Sequence, residues 1–441
     1  MTLTEAAHWT KRLIWFALAG MILFVVLVVV LINRSRPQQI PQYMFPDFAC
    51  TPTREEFIPH IEDLQEHLTE EAVEYTLESG ADAFTLETQT GRIAQIPEVI
   101  NIYRYDNPGQ LLTVQDDAKD LADALRFEPE EMQRVGTTTY RWADAFGRTL
   151  TVQARNFVFE LKTDLTRTAV RPITGEVPAE EQARNFARDL LSGQDLLTSD
   201  YLRGSPETMD ITIQPDGTFR QAKYKQEADL VRVDFFREAS MITIPSNVAG
   251  AEDARVMLER QGHRATTDEA RTPQGRVNLY KFNTPVINRD IYKSNISVYV
   301  GRADFQDRGR PTNRVYDIDY RNWILEPEHC GTYKLVNPAQ VLTYVQNQEA
   351  SLMYLNESDG DKVLQDGTKN VRNFTIKDIN VVYYDAPHEQ EFLQPVYIIS
   401  GEATFTTGVI GEFLFYYPAI DYEFMRTAQI GEVGEGEEGL E

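Results

Sequence analysis

Cysteine and histidine are scarce in this 441-residue chain, with two of the first and six of the second. Neither Cys50 nor Cys330 has a second cysteine nearby, which excludes zinc sites of the CxxC kind. His60 and His67 stand seven apart in HIEDLQEH. That spacing is neither HExxH nor Glu-x-x-His, so a metalloprotease reading fails. His8, His263, His329 and His388 are scattered, and the neighbours His329 and Cys330 are poorly placed to converge on one substrate atom. No G-x-S-x-G, S-x-x-K or P-loop occurs. An excess of basic charge is missing too. Lys and Arg number 43 against 68 Asp and Glu, a formal net charge of −25 that argues against a nucleic-acid partner. Asp359, Asp361 and Asp366 lie among glycines in NESDGDKVLQDGTKN, yet without EF-hand spacing or its terminal Glu they read as a solvated turn. No catalytic residue, cofactor or metal ligand is assigned on this reading.

What the chain does have is apolar mass. Hydrophobic residues make up 42%, with 21 Tyr and 22 Phe, enough for packed cores, and the length suits two or three domains. Leu13 to Ile32 holds twenty residues without a charge. At about 1.5 Å per residue this covers roughly 30 Å, the hydrocarbon thickness of a bilayer, and it reads as a single transmembrane helix. A cleaved signal peptide would carry a shorter apolar run and a small-residue cleavage site. Lys11 and Arg12 precede the run and Arg34 and Arg36 follow it, so the positive-inside rule is nearly silent. The layout favours a cytoplasmic leader (1–12), the span (13–32), a Pro-rich linker (33–49) and everything beyond outside the cytoplasm. Both cysteines fall beyond the run. In an oxidising compartment Cys50 and Cys330 could form a disulfide tying the neck to the distal half. The alternative is two separate buried thiols. Residues 428–441, rich in Gly and Glu, read as an acidic disordered tail.

Between the linker and the tail a unit recurs. Thr113 to Arg126 places Val114, Ala118, Leu121 and Leu125 on one helical face, with Thr113 as N-cap. Pro178 to Leu191 repeats the idea, with Pro178 at the first helical position and Ala183, Phe186 and Leu190 facing in. Ala251 to Gln261, closed by Gly262, is a third. Asn337-Pro338 opens a fourth, with Val341, Leu342 and Val345 facing in. Each is followed by strand-like runs, and Pro215-Asp216-Gly217 reads as a turn between two of them. The expected fold class is α+β: the transmembrane helix, then tandem helix-plus-antiparallel-sheet units in two ectodomains, 50–240 and 241–427.

The order of helix and long antiparallel strands, with ADLVRVDFFRE (228–238), TYKLVNPAQVLTYV and INVVYYD…LQPVYIISGEA, resembles the PepSY-related modules. It is most similar to the YycH/YycI-type extracytoplasmic regulators of bacterial sensor kinases. The resemblance implies a bitopic, non-enzymatic envelope protein that binds a membrane partner or an envelope peptide. It offers no catalytic residue to carry over.

The expected function is therefore a membrane-anchored extracytoplasmic binding, regulatory or scaffold protein of a bacterial cell envelope, with a protein or peptide partner. The alternatives are an envelope hydrolase acting on cell wall or peptides, and a structural subunit of a secretion or surface-assembly complex. The final unit, Asn337 to Asp421, is expected to fold as a module. Val381 to Tyr384, Val396 to Ile399 and Phe413 to Tyr417 are apolar or aromatic on both strand faces. One face then awaits a helix, and the other a neighbouring domain or a partner.

Overall fold

The structure, a computed structural model, describes residues 21, 46–47, 49–50, 64–78, 83–88, 97–106, 113–202, 206–260, 262–272, 275–307, 310–356, 368–386 and 390–424. A short helix, α1 (Gln65–Glu70), precedes three short strands, β1 (Tyr75–Leu77), β2 (Phe84–Leu86) and β3 (Val99–Arg104). Helix α2 (Val114–Ala124) leads into β4 (Gln133–Val135), β5 (Thr139–Ala143), β6 (Arg148–Gln153) and β7 (Phe159–Thr163). Helices α3 (Glu180–Ser192) and α4 (Ser199–Leu202) precede β8 (Glu207–Ile213), β9 (Phe219–Gln221), β10 (Leu230–Phe235) and β11 (Arg237–Pro245). Helix α5 (Ala251–Arg260) precedes β12 (Ala265–Thr272), β13 (Gly275–Ile287), β14 (Ile296–Asp307), β15 (Arg310–Tyr320) and β16 (Gly331–Lys334). Helix α6 (Pro338–Gln346) opens the last run, β17 (Ser351–Asn356), β18 (Lys369–Tyr384), β19 (Phe392–Phe405) and β20 (Ile410–Pro418).

Local signals explain several boundaries. Asn337 Oδ1 accepts from Ala339 N at 2.9 Å, and Pro338 takes the first helical position of α6, where its missing N–H costs nothing. Helix α2 buries Val114, Ala118 and Leu121 at the expected spacing. Helix α3 starts at Glu180 rather than Pro178 and buries Ala183, Ala187 and Leu191, so Phe186 and Leu190 end up half-buried beside its inner face. Between β8 and β9, Asp216 Oδ1 accepts from Thr218 N, and Gly217 takes the left-handed conformation that the turn needs (φ +87°).

Strand pairing departs from the tandem plan. One sheet has nine strands, all antiparallel, in the order β4-β5-β6-β7-β15-β14-β10-β8-β9. The other has eleven, built on the path β11-β13-β18-β19-β20-β17. Strands β1 and β2 add to β18 in parallel, β12 to β13, and β3 to β19 with β16 beyond it. The expected α+β architecture of tandem helix-plus-sheet units is thereby corrected: the protein is mostly β-sheet, and strands of the third expected unit are shared between the sheets. The boundary expected between 240 and 241 falls inside β11. Tyr43 to Glu441 group as one unit by their contacts. The expected transmembrane element also needs correction. No helix among the described residues is long and apolar enough to cross a membrane. The run Leu13–Ile32, apart from Met21, lies outside the described residues, as do most of the linker and the tail.

Burial explains the merger. In β5, β6 and β7 buried and solvated positions alternate, so one face packs under α2 and α3 and the other is left polar. In β10, β17 and the first eight residues of β19 every residue is buried, so both faces need cover. On one face of the eleven-stranded sheet, Val381, Tyr383, Tyr397, Ile399, Phe413 and Phe415 pack with Val341 and Val345 of α6. On the other, Val382, Tyr384, Val396, Ile398, Leu414 and Tyr416 pack with Leu64 and with Leu68 of α1. The second layer over the final unit is thus the chain's own N-terminal part.

A buried arginine joins the sheets. Along the described strands the chain changes sheet four times, at 104–133, 235–237, 287–296 and 320–331, and the second and fourth of these passages meet at Arg237, which is 2% exposed. Its Nη2 donates to Asn322 Oδ1 (2.7 Å) and to the Trp323 carbonyl (2.6 Å). Its Nε lies 2.5 Å from Asp200 Oδ2, and the guanidinium sits 4.7 Å over the Tyr201 ring. Asp385, also buried, accepts from the Tyr105 hydroxyl at 2.9 Å, while its carbonyl accepts from Asn295 Nδ2 at 3.4 Å. Burial raises the pKa of Asp385, and the charge of Arg237 offsets part of that rise. Burial also works against the charge on Arg237, but Tyr201, Asp200 and Asp385 outweigh it and hold the guanidinium ionised. Arg237→Ala strands Asp200 and Asp385 without their counter-charge. Urea unfolding at neutral pH is expected to show a loss of about 3–5 kcal/mol. A loss under about 1 kcal/mol would mean that the passages are held by their apolar packing instead.

Candidate functional site

Cys50 and Cys330 are joined by a disulfide that closes a separation of 280 residues. Beside it Asp47 N donates to the Thr332 carbonyl (3.1 Å) and Thr332 N to Asp47 Oδ1 (2.7 Å), so the segment around 47–50 lies along β16. A Cβ on Gly331 would meet Ala49 N at 2.7 Å, which explains a glycine there. Of the histidines, His67 lies in α1, and His329 is edge-on to Tyr103 at 6.4 Å with its pKa lowered by burial. His8, His60 and His388 and the aspartates 359, 361 and 366 lie outside the described residues. No three His, Cys, Asp or Glu among the described residues stand close enough to hold a metal. The strand aromatics of the final unit expected to offer a binding face (Tyr383, Tyr384, Tyr397, Phe413, Phe415, Tyr416 and Tyr417) are core, with Tyr417 half-buried.

Three features remain outside the core. The first is a polar stripe across the nine-stranded sheet, on the face away from α2 and α3. Arg232 of β10 pairs in register with Tyr299 of β14, which pairs with Asp317 of β15. One row along, Asp234, Ser297, Asp319 and Glu160 follow one another from β10 to β7. Lys162 Nζ on β7 donates to Asp317 Oδ1 and Asp319 Oδ1, both at 3.0 Å, and lies 3.1 Å from Glu160. Lys293, from the connection before β14, bonds Asp319 and lies 5.8 Å over the Tyr299 ring. Asp234 accepts from Arg232 Nε (2.7 Å) and the Ser297 hydroxyl (2.6 Å). The two carboxylates that share Lys162 behave oppositely. Burial would raise both, but Lys293 and Lys162 together outweigh it at Asp319 and hold that carboxyl low. Asp317, 4% exposed, has the weaker cationic company, and burial pushes it up to about 7. A perturbed carboxyl beside a half-exposed lysine is the kind of arrangement found at functional sites and in structural ion-pair networks alike. Sequence reading passed over these residues. Their one signal was the alternation of charge in FELKT and VYDIDY, which marks a strand face and no chemistry.

The second feature is a pair of clefts. One, of about 430 Å³, lies where α1 approaches the start of β17 and is lined by Val73, Tyr75, Glu349, Ala350, Leu352 and Tyr417. The other, about 210 Å³, is acidic, with Glu180, Glu207, Asp210, Asp234 and Tyr292 in its wall. Glu180 is already within 3.3 Å of Arg184 and 4.0 Å of Lys225, and burial raises the pKa of Asp210.

The third is the ribbon made by β12 and β13. Eight residue pairs form its ladder, from Ala265–Phe282 to Thr272–Gly275. From 262 to 281 no described residue is buried, and Thr266 to Glu269, Arg271, Arg276 and Asn278 are exposed. Strand β12 has β13 as its one strand partner among the described residues, so its outer row of N–H and C=O groups is an open edge. In sequence RVNLYKF has the β-branched and aromatic residues of a strand, whereas ATTDEART carries charges and threonines without an apolar face.

No protein-family model matches the chain and no curated protein matches it, so the PepSY-like resemblance stays an expectation. A crystal structure of an uncharacterised protein from Eubacterium rectale is 11% identical over 81% of this chain and 96% of that one, with a TM-score of 0.32. A likeness at that score carries no argument about fold or function.

The stripe generates a pH signature. A carboxyl whose pKa rises from about 3.9 in the unfolded chain to about 7 in the folded one stabilises most below the lower value. That contribution is lost as pH rises through about 7. Asp317→Asn should therefore gain stability relative to the native chain between pH 4 and pH 8, by up to about 4 kcal/mol at about 1.4 kcal/mol per pKa unit. Paired urea titrations across this range check it, and parallel curves would assign Asp317 an ordinary carboxylate pKa.

Proposed function

We propose that the protein is a non-catalytic binding protein, regulator or scaffold, that works outside the cytoplasm and engages a protein partner through the edge of β12. The observation that carries this reading is the ribbon. Two-stranded ribbons are marginal in water, and over 269–278, beyond the part of β13 that also pairs with β11, this one buries no described residue and adds little to the stability of the fold. Its regular ladder and open edge suit strand addition, a recurring mode of peptide recognition. The Cys50–Cys330 disulfide supports the compartment, since such bonds persist where thiols are not kept reduced.

A photo-crosslinking residue at Thr267 on the ribbon, compared with one at exposed Arg141 on β5, tests the reading in the native host. One dominant protein adduct from Thr267 and none from Arg141 is expected. Equal or absent adducts at both positions would remove the ribbon as the binding face. In the same cells Cys50 and Cys330 should resist alkylation until reduced, whereas two freely reactive thiols would place the protein in a reducing compartment. The rival hydrolase reading draws on Asp317 and Lys162; hydrolysis of cell wall or peptide that disappears in Asp317→Asn would establish it.

A further inference from the structure

We propose that the segment docked on β12 is extended and acidic, a strand of another polypeptide that places a carboxylate beside Arg271. The inference rests on the binding reading above and names the chemistry of its partner. Residues 262–281 carry Arg264, Arg271, Arg276 and Lys281 against Asp268 and Glu269, a cationic stretch in a chain whose formal charge is −25. Both acids are already engaged within the ribbon, Asp268 by Lys281 (2.8 Å) and Glu269 by Arg276 (3.0 Å). Arg264 and Arg271 have no ion pair among the described residues, which leaves the uncompensated charge on the β12 side.

Register sharpens the point. Arg271 stands directly opposite Arg276, and residues so paired in an antiparallel ladder project from the same face, about 5 Å apart at their Cβ atoms. Like charges in that relation repel, and a carboxylate bound alongside relieves the repulsion. An incoming strand at the free edge would set alternate side chains on that same face, next to Arg271. A polypeptide fits better than another polyanion because the edge offers main-chain donors and acceptors that only a second strand matches along its length. The negative charge of the remaining surface is screened beyond about 8 Å at physiological ionic strength, so it does not cancel the local field of the ribbon. A second copy of this chain is the disfavoured occupant, because each copy brings its own −25.

The test uses the full chain and three fluorescent ten-residue probes: a Thr/Glu peptide, the same peptide with Lys in place of Glu, and the Thr/Glu peptide with alternate backbone nitrogens methylated. Anisotropy should show the Thr/Glu probe binding at least tenfold more tightly than either of the others. Arg271→Glu should weaken it at least tenfold, with an unchanged far-ultraviolet circular dichroism spectrum, since the side chain is exposed. Arg141→Glu, a charge reversal on β5, should leave it within twofold. Equal binding of the Glu and Lys probes, or binding that survives Arg271→Glu, overturns the acidic partner. Binding that survives methylation overturns strand addition. Sedimentation that shows a dimer abolished by Arg271→Glu would assign the edge to a second copy and overturn the proposal. If a Thr267 adduct forms in cells while the Glu probe does not bind, the binding reading stands and the acidic partner falls.

Discussion

Strands that are apolar on both faces need cover on both sides, and in this protein the requirement falls on β17, β18, β19 and β20. One of their faces is covered by α6, which lies close by in sequence, and the other by Leu64, Leu68 and α1, about 300 residues away. Burying a side chain such as Leu68 or Tyr416 is worth roughly 1.5–3 kcal/mol. A final unit without its N-terminal partners would leave several such side chains in water. The parallel additions of β1 and β2 to β18, and the pairing of β3 with β19, follow from the same need. Chain segments that arrive to cover a face also find unpaired edge groups to satisfy.

Charge is distributed by a similar economy. Inside, Arg237, Arg232, Asp234 and Asp385 are tied to the places where the chain changes sheet or where a connection folds over a strand face. Ser294 N, at the end of the connection after β13, donates to Asp234 at 3.2 Å. Buried pairs of this kind add little net stability over an apolar packing, but they penalise every arrangement that leaves a charge unmatched. They fix which segments meet. Outside, the ribbon keeps its acids neutralised and leaves Arg264 and Arg271 available.

The helices were legible because their signals are local: the Asn337-Pro338 start, the buried period of α2, the glycine after α5. The turn at Asp216-Gly217 was legible for the same reason. Which strands share a sheet was not, since alternation in β7 or β15 declares a face and leaves the neighbour open. The aromatic strands of the last unit announced that both faces would be covered, yet nothing in them pointed to α1. The polar stripe was hidden by its composition, because Lys162 and Asp317 look in sequence like any solvated residues of half-buried strands. Only the register that sets β7 against β15, across some 155 positions, turns them into a site.

The pairing of β1 with β18 joins Tyr75 to Lys369, a separation that sets a schedule for folding. A chain made from its N-terminus has β1, β2 and β3 in hand long before their partners exist. Contacts of such separation are formed late, after the loop-closure entropy has been met by other structure. The nine-stranded sheet draws all its strands from residues 133–320, so it can be complete while the eleven-stranded one still lacks its central strands. For that interval β3, five of whose six residues end up buried, is an unpaired apolar strand. A cell that makes this protein has to shield that stretch until the last quarter of the chain arrives.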